Sequence, residues 1–474
     1  MTEDVVIVLD CGATNVRAIA VDTSGKVIAR ASEPNVTEPD ADHADWHYWP
    51  FEGIYEKFCR CSQKVAAEIG AQRVKAVSVT TFGVDGTFID EAGSLLYPVI
   101  SWKCPRTIDA QKHMARYIDP DRAVALSGVG HFSFNTLNKF IWMKENRSDI
   151  LEQAKHFLFI SSLFTHRLTG RATADATMVG TSQMTDMQAQ DMSEEMLGTL
   201  QIDRSLFPDF VYPGEVIGAL LPKEAEALGL PCGVPVVSAG HDTQFAVFGA
   251  GAAPGQPVLS SGTWEILMAR CESVKLPSKA IYDQAFTCEW DVERGHYNPG
   301  IQYLASAVVE WVARTLFGEL SGPEKYDVMI REAMQAPEDC RGVSFYPDLL
   351  TSQNGGQGML RGLSLDADRG AIFRAALTGL VGRLKDSLTI LEEVGAFKTT
   401  ELTLVGGGAR NAFWTQLKAN ALNVPVKTLE EPETTVLGAA MFAMQGAGLY
   451  ETATQARENF NLRYVTTLPQ TQQS

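Results

Sequence analysis

The chain alternates short apolar runs with polar turns, and the period changes along its length. Residues 5–9 are a continuous apolar run, as in a strand buried on both faces. The next six, Asp10-Cys11-Gly12-Ala13-Thr14-Asn15, are turn-rich; residues 17–21 alternate, Asp22-Thr23-Ser24-Gly25 is a second turn, and residues 26–30 resume the alternation. A β-hairpin pattern therefore opens the chain. Residues 54–69 predict a helix, 74–80 a strand, 87–90 and 95–100 two further strands, and 135–147 a helix. Strands interleaved with helices at this spacing predict an α/β fold.

Near position 240 the pattern starts again. Residues 234–238 read as a buried strand ending in Ala239-Gly240-His241-Asp242, and 249–257 are rich in Gly, Ala and Pro, as in a hinge or hairpin turn. Residues 258–260 then run into Ser261-Gly262-Thr263. Asp10-Cys11-Gly12 aligns with Ser260-Ser261-Gly262 at an offset of 250 residues in a chain of 474 (260 − 10). Each half opens with a strand, a small-residue Gly turn and a Thr, which predicts two halves of similar architecture, 1–245 and 246–474, around a cleft. At roughly 150 residues per domain the length suggests about three, but two large domains fit as well. The polar tail 466–474 is expected to fray.

Charge narrows the function classes. Forty Lys and Arg against 57 Asp and Glu leave −17, which opposes nucleic acid and anionic membranes, since both need a basic face. Phosphate must then be held by backbone amides or a metal ion. No apolar run approaches the ~18 residues that span a bilayer. The start, Met1-Thr2-Glu3-Asp4, is acidic where a signal peptide is basic, so a cytoplasmic location is expected. The eight cysteines are scattered with no C-x-x-C, which reads as free thiols in a reducing compartment. His43 and His47 bracket Asp45, but Trp46, Trp49 and Pro50 make this an irregular aromatic segment rather than a metal site.

Common catalytic signatures are missing: there is no G-x-x-x-x-G-K-[ST], no HExxH, no EF-hand loop and no H-R-D loop. What remains is three Gly turns, each directly after an apolar strand: Asp10 to Thr14, Ser260 to Thr263, and Gly406-Gly407-Gly408, the last before a helix starting at Asn411. Glycine lets backbone approach a ligand closely, and the exposed amides form an anion-binding nest. The alternative is three tight turns in a chain with 40 glycines. Asp242, just past a buried strand, stands where α/β proteins bind ligands and has the chemistry to accept a hydroxyl proton. Its position equally suits a helix N-cap.

These segments together resemble the FGGY carbohydrate kinases along nearly the whole chain. The landmarks are Asp10-Cys11-Gly12-Ala13-Thr14-Asn15-Val16-Arg17, Gly240-His241-Asp242-Thr243, Ser260-Ser261-Gly262-Thr263-Trp264 and Leu404-Val405-Gly406-Gly407-Gly408-Ala409-Arg410-Asn411. Residues 134–146 fit the family's first signature. The second is looser: Gly358-Met359-Leu360-Arg361-Gly362-Leu363 and Ala375-Ala376-Leu377 fit, whereas Ala371 and Thr378 stand where polar or acidic residues are usual. Thr80-Thr81-Phe82-Gly83-Val84-Asp85-Gly86 and Ser101-Trp102-Lys103-Cys104-Pro105-Arg106-Thr107 are similar to the family's L-fuculose-phosphorylating members, with Cys104 where many members carry Asp. Members that phosphorylate L-rhamnulose or another ketose are the alternative.

The resemblance implies two actin-like, ribonuclease H-like domains closing on ATP and a ketose, with phosphate transferred to the 1-hydroxyl. It implies that Asp242 is the base, that Ala13, Thr14, Asn15, Val16, Arg17 and Thr263 line the phosphates, and that Gly407 lies under the adenosine. Gly83, His241 and Thr243 would touch the sugar, and so would Asn298, which a turn before Pro299 explains as well. Asp10 would orient Mg²⁺, or another divalent cation, through water. A small-molecule ketose is the implied partner, with neither nucleic acid nor membrane; a homo-oligomer stays open. A reading from another class is an actin- or Hsp70-like ATPase acting on a protein partner, which needs the phosphate loops but no polyol site around Gly83 and Gly240-His241-Asp242-Thr243.

Overall fold

The computed structural model describes residues 4–322, 324–349 and 358–470. It contains two large sheets. The first has the order Val216–Ala219, Pro235–Val237, Val74–Thr81, Val5–Cys11, Asn15–Asp22, Val27–Pro34. Val5–Cys11 is buried at every position, as its uninterrupted apolar run requires. It runs antiparallel to Asn15–Asp22 and parallel to Val74–Thr81. The second sheet has the order Phe286–Trp290, Tyr297–Leu304, Trp264–Ala269, Pro257–Ser261, Leu402–Val405, Val426–Leu429, Tyr464–Thr467. There Pro257–Ser261 runs antiparallel to Trp264–Ala269 and parallel to Leu402–Val405.

Apart from the extra edge strand Phe286–Trp290, the sheets share one plan. Three strands meander antiparallel, two more join in parallel, and an antiparallel strand closes the far edge. This is the ribonuclease H-like order, used twice as in actin-like proteins. Asp10 and Ser260, 250 positions apart, end equivalent strands.

Two helices join the sheets. Asp242–Gly249 leaves the first sheet, and Thr434–Gly446 packs across it. Phe245 and Phe248 meet Val6, Val8, Ile19 and Val21 of the first sheet, while Val247 and Ala250 meet Val258, Met268 and Val405 of the second. One short helix thus contributes to both cores. The crossing is close because both helices present glycine: a Cβ on Gly249 would lie 2.0 Å from the Thr434 carbonyl oxygen, and one on Gly438 would lie 2.1 Å from that of Phe245.

Two expectations need correction. Of residues 95–100, only Val99–Ile100 forms a strand, and Leu95 makes a single isolated bridge to Ile89. Pro98 supplies no ladder N–H, and Leu95 turns partly to solvent. The tail expected to fray begins inside a strand: Thr466 and Thr467 pair with Lys427 and Val426, and the Gln470 amide donates to Asn420 at 2.9 Å. The open edge of Val426–Leu429 supplies the partner. Residues 1–3 and 471–474 lie outside the described residues.

Gly438→Ala should push the two helices apart, at about 1–3 kcal/mol of stability. Gly382→Ala is the control. It lies within the helix Arg369–Gly395, where an added Cβ meets nothing within 4 Å; relative to glycine it should stabilise by roughly 0.5–1 kcal/mol. Urea denaturation reads both, and equal shifts would contradict a close crossing.

Candidate active site

The first Gly turn is closed by the Gly12 amide donating to the Asn15 carbonyl at 2.9 Å. Ala13 faces a cavity, Thr14 and Asn15 are exposed, and Val16 is buried in the core. Of this stretch, therefore, the turn and not the Val16 side chain meets the cleft. Asp10 and Arg17 are cross-strand partners, and Arg17 Nε and Nη2 both reach Asp10 Oδ2, at 2.8 and 2.7 Å. Arg17 Nη1 reaches Glu433 Oε2 at 2.7 Å, just before the helix Thr434–Gly446. Burial pushes the Asp10 carboxyl up to about 6 against the pull of Arg17, and Asp242 and Glu433 add repulsion.

The other two Gly turns are neighbours because their strands are parallel neighbours, with Ser260 opposite Val405. The Gly262 amide donates to the Trp264 carbonyl at 2.9 Å, leaving Thr263 exposed at the turn. Gly408 lies against Ser261: an added Cβ would stand 2.0 Å from Ser261 Oγ. Gly407 borders open space. Below both turns, Glu265 accepts from Ser261 Oγ at 2.8 Å and from the buried Lys418 Nζ at 2.7 Å.

Between the lobes lies a cavity of about 330 Å³, lined by Gly83, Val84, Trp102, Phe132, Phe134, Asp242, Thr243 and Glu289 among others. His241 lines it too and bridges to Thr81 at the end of the first sheet. Two glycines make this packing possible. A Cβ on Gly240 would stand 2.1 Å from Asp175 Oδ1, and one on Gly83 would stand 3.0 Å from the His241 ring. Next to Gly83, Val84 holds a φ of 62°, costly for a β-branched residue. Hydrogen bonds hold it there: its amide donates to Thr181 Oγ1 at 3.0 Å, and its carbonyl accepts from Thr136 Oγ1 and Lys139 Nζ, each at 2.8 Å.

Asp242 is the first residue of its helix, and the N-cap is His241 with no side-chain cap bond. The N-cap alternative for Asp242 therefore falls. Asp242 Oδ1 accepts from the Thr243 amide at 2.6 Å, and its side chain keeps 28% exposure toward the cavity. Burial lifts its carboxyl above the ordinary range, with His241 and the Thr243 amide opposing. His241 Nε2 stands 3.5 Å from Asp242 Oδ1, and Nδ1 stands 3.2 Å from Glu289 Oε2. Burial would lower the His241 pKa, but Glu289 and Asp242 reverse that and raise it.

Asn298 is fully buried behind this wall, and its amide donates to Gln244 Oε1. Gln244 in turn donates to Glu289 Oε2 at 2.6 Å. Asn298 therefore braces a cavity residue rather than facing the cavity. Glu289 and Glu433 escaped the sequence reading. Glu289 stands in no motif and Glu433 ends the acidic run Glu430-Glu431-Pro432-Glu433; strand register brings in the first and the helix crossing the second. Asp85, another carboxylate close by, is fully buried and accepts from Trp49 Nε1 at 2.6 Å, the Trp102 amide at 3.0 Å and Lys139 Nζ. It is a brace under the cavity wall. Burial lifts its carboxyl and depresses the Lys139 ammonium, and each partner opposes the other's shift. Among the described residues no group of three or more His, Cys, Asp and Glu is placed to hold a metal ion by itself.

Asp85→Asn would strand the Lys139 ammonium in the core and should cost about 3–5 kcal/mol in urea denaturation. Adding Lys139→Met should recover most of the loss. Wild-type stability in the single variant would show that the pair braces nothing.

The N-terminal domain model of the FGGY family of carbohydrate kinases matches residues 5–249, and the C-terminal one matches 258–447. The chain is 50% identical over 473 residues to an L-fuculokinase of Salmonella typhi, covering 100% of this chain and 98% of that one. It is 49% identical over 472 residues to an L-fuculokinase of Escherichia coli K12, with the same coverage. A rhamnulokinase of Bacteroides thetaiotaomicron is 26% identical over 414 residues, covering 85% of this chain and 82% of that one. A crystal structure of a xylulose kinase from Rhodospirillum rubrum superimposes with a TM-score of 0.89 at 22% identity, covering 98% of this chain and 94% of that one, which shows the shared fold. With family models spanning both halves and a close relative along its full length, the chain belongs to the FGGY family of carbohydrate kinases.

Proposed function

We propose that this enzyme transfers the γ-phosphoryl group of ATP to the 1-hydroxyl of L-fuculose, giving L-fuculose 1-phosphate. The observation that carries the reading is Asp242. It lies at a helix start and faces a sugar-sized cavity, with His241 and Thr243 beside it. Full-length likeness to L-fuculokinases favours L-fuculose, and the weaker likeness to a rhamnulokinase makes L-rhamnulose the second reading. The cavity disfavours an ATPase of the actin or Hsp70 kind, which has no use for a polyol site.

In this reading Asp242 accepts the proton of the 1-hydroxyl as its oxygen attacks phosphorus. Gly83, His241 and Thr243 hold the sugar, and Asn298 acts through Gln244 and Glu289. Ala13, Thr14, Asn15 and Thr263 hold the phosphates through their turns, Val16 and Arg17 support the first turn from behind, and Gly407 leaves room for the adenosine. Asp10 suits a divalent cation: its oxygen is a hard donor, and Oδ1 takes no hydrogen bond among the described residues while Oδ2 is tied to Arg17. Mg²⁺ held there, directly or through water, would offset phosphate charge in a chain of net −17. Two units divided at 245/246 follow from this reading, one with the sugar site and first phosphate loop, the other with the second loop and the adenosine site. A cytoplasmic location fits a consumer of ATP, and among the described residues no helix is long and apolar enough to cross a membrane.

A coupled ADP-release assay against L-fuculose, L-rhamnulose, D-ribulose and D-xylulose tests the substrate. L-fuculose should show the highest kcat/KM; a clearly higher value for L-rhamnulose gives the second reading. Asp242→Asn should lower kcat about 10²–10⁴-fold with little change in melting temperature. Near-normal kcat would remove Asp242 as the base. Because the ionised carboxylate is the active form and burial raises its pKa, kcat should fall on acidification at a pH above the usual carboxylate range.

A further inference from the structure

The cavity wall formed by the strand Phe286–Trp290 carries a polar gradient that the phosphoryl-transfer chemistry does not use. Ala285 and then alternate residues of the strand Phe286–Trp290, Thr287 and Glu289, line the cavity, while Phe286, Cys288 and Trp290 point into the core. Along this face the chemistry runs from carboxylate to hydroxyl to methyl, beginning next to His241 and moving away from Asp242. Val129 and Phe132 add apolar surface to the cavity, and Gln302 lies beside Ala285.

Two atoms on this face want a partner. Glu289 Oε2 is occupied by Gln244 at 2.6 Å and faces His241 Nδ1 at 3.2 Å. Oε1 accepts no hydrogen bond among the described residues. Thr287 Oγ1 is buried with no partner. A buried unpartnered hydroxyl beside an open carboxylate oxygen at a cavity wall points to a ligand that supplies the missing bonds. A carboxylate only accepts, so its partner is a hydroxyl or an amine.

We propose that Glu289 reads the hydroxyl configuration at C4 of the ketose and so sets which of two epimers the enzyme uses. The proposal rests on the ketose-kinase reading above. With O1 at Asp242, the next polar groups on the wall, Thr243 and His241, serve the carbons nearest the reacting end. Glu289 stands one hydrogen-bonding distance further, beyond His241. A six-carbon chain then presents C4 to Glu289 and its last carbons to the stretch lined by Thr287 and Ala285. L-fuculose and L-rhamnulose, both 6-deoxyketohexoses, differ only in configuration at C4. A fixed acceptor serves one epimer and leaves its own carboxylate unmatched with the other, which is how hydrogen-bonding sites achieve large discrimination. Gln244 and Asn298, in line behind Glu289, hold that acceptor in place.

The test is the ratio of kcat/KM for L-fuculose over L-rhamnulose in the wild type, Glu289→Ala and Glu289→Gln. The ratio should fall at least about tenfold in Glu289→Ala, mostly through a higher KM for the preferred sugar, with KM for ATP unchanged. Glu289→Gln keeps the shape and guards against a folding defect; it should lower the ratio in the same direction. If Glu289 only orients His241, both sugars lose kcat/KM equally and the ratio stays at the wild-type value. An unchanged ratio in variants that melt like the wild type overturns the proposal. A wild-type preference for L-rhamnulose would overturn the substrate reading alone, since collapse of the ratio toward one would still support Glu289. If neither sugar is used, the same measurement applies to the ketose that is, paired with its C4 epimer.

Discussion

The contact on which the rest depends is the crossing of Asp242–Gly249 with Thr434–Gly446, where Gly249 and Gly438 bring the two backbones together. Any side chain at either glycine would meet a carbonyl oxygen. The crossing sets three things at once. It joins the cores of both sheets through one short helix. It places Asp242, the first residue of one helix, at the cavity. It also brings Glu433, the residue before the other, onto Arg17 and through it onto Asp10. Packing geometry and site geometry are thus one constraint.

Electrostatics explains the way the site is built. An acidic chain must gather an anionic nucleotide, and the carboxylates Asp10, Asp242, Glu289 and Glu433 stand around this cleft. Strand-end turns with free amides, together with a divalent cation, suit the holding of phosphate. Several cations are committed to carboxylates, whereas Lys103 Nζ reaches the Ala13 carbonyl at 3.3 Å and Arg410 is exposed at the third Gly turn. Arg17 is shared between Asp10 and Glu433, while Lys139 and Lys418 are buried against Asp85 and Glu265. Such buried pairs contribute little net stability, but losing one partner is costly, which suits groups that hold a loop in a single position.

Features carried by local chemistry could be read from the chain. The opening hairpin, the three Gly turns and the halves related by 250 residues come from strand period and glycine placement, and the structure shows each of them. Features carried by distant partners could not. The tail 466–474 looks like a polar end until the open edge of Val426–Leu429 is known. Residues 95–100 have strand-like composition, yet Pro98 breaks the ladder. Glu289 becomes a cavity residue only through its register opposite Asn298, and Glu433 only through the helix crossing. Asn298 shows the reverse: resemblance singled it out, and its position is behind the wall, one residue removed from the cavity.

A two-lobed cleft hinged at a glycine crossing should close when both substrates bind, shielding the phosphoryl group from water. Small-angle X-ray scattering of the protein alone, with L-fuculose, and with L-fuculose plus a non-hydrolysable ATP analogue and Mg²⁺ measures this directly. The radius of gyration should fall in the ternary complex. An unchanged radius at saturating ligand, with binding confirmed by calorimetry, would contradict the hinge and the closing cleft built on it.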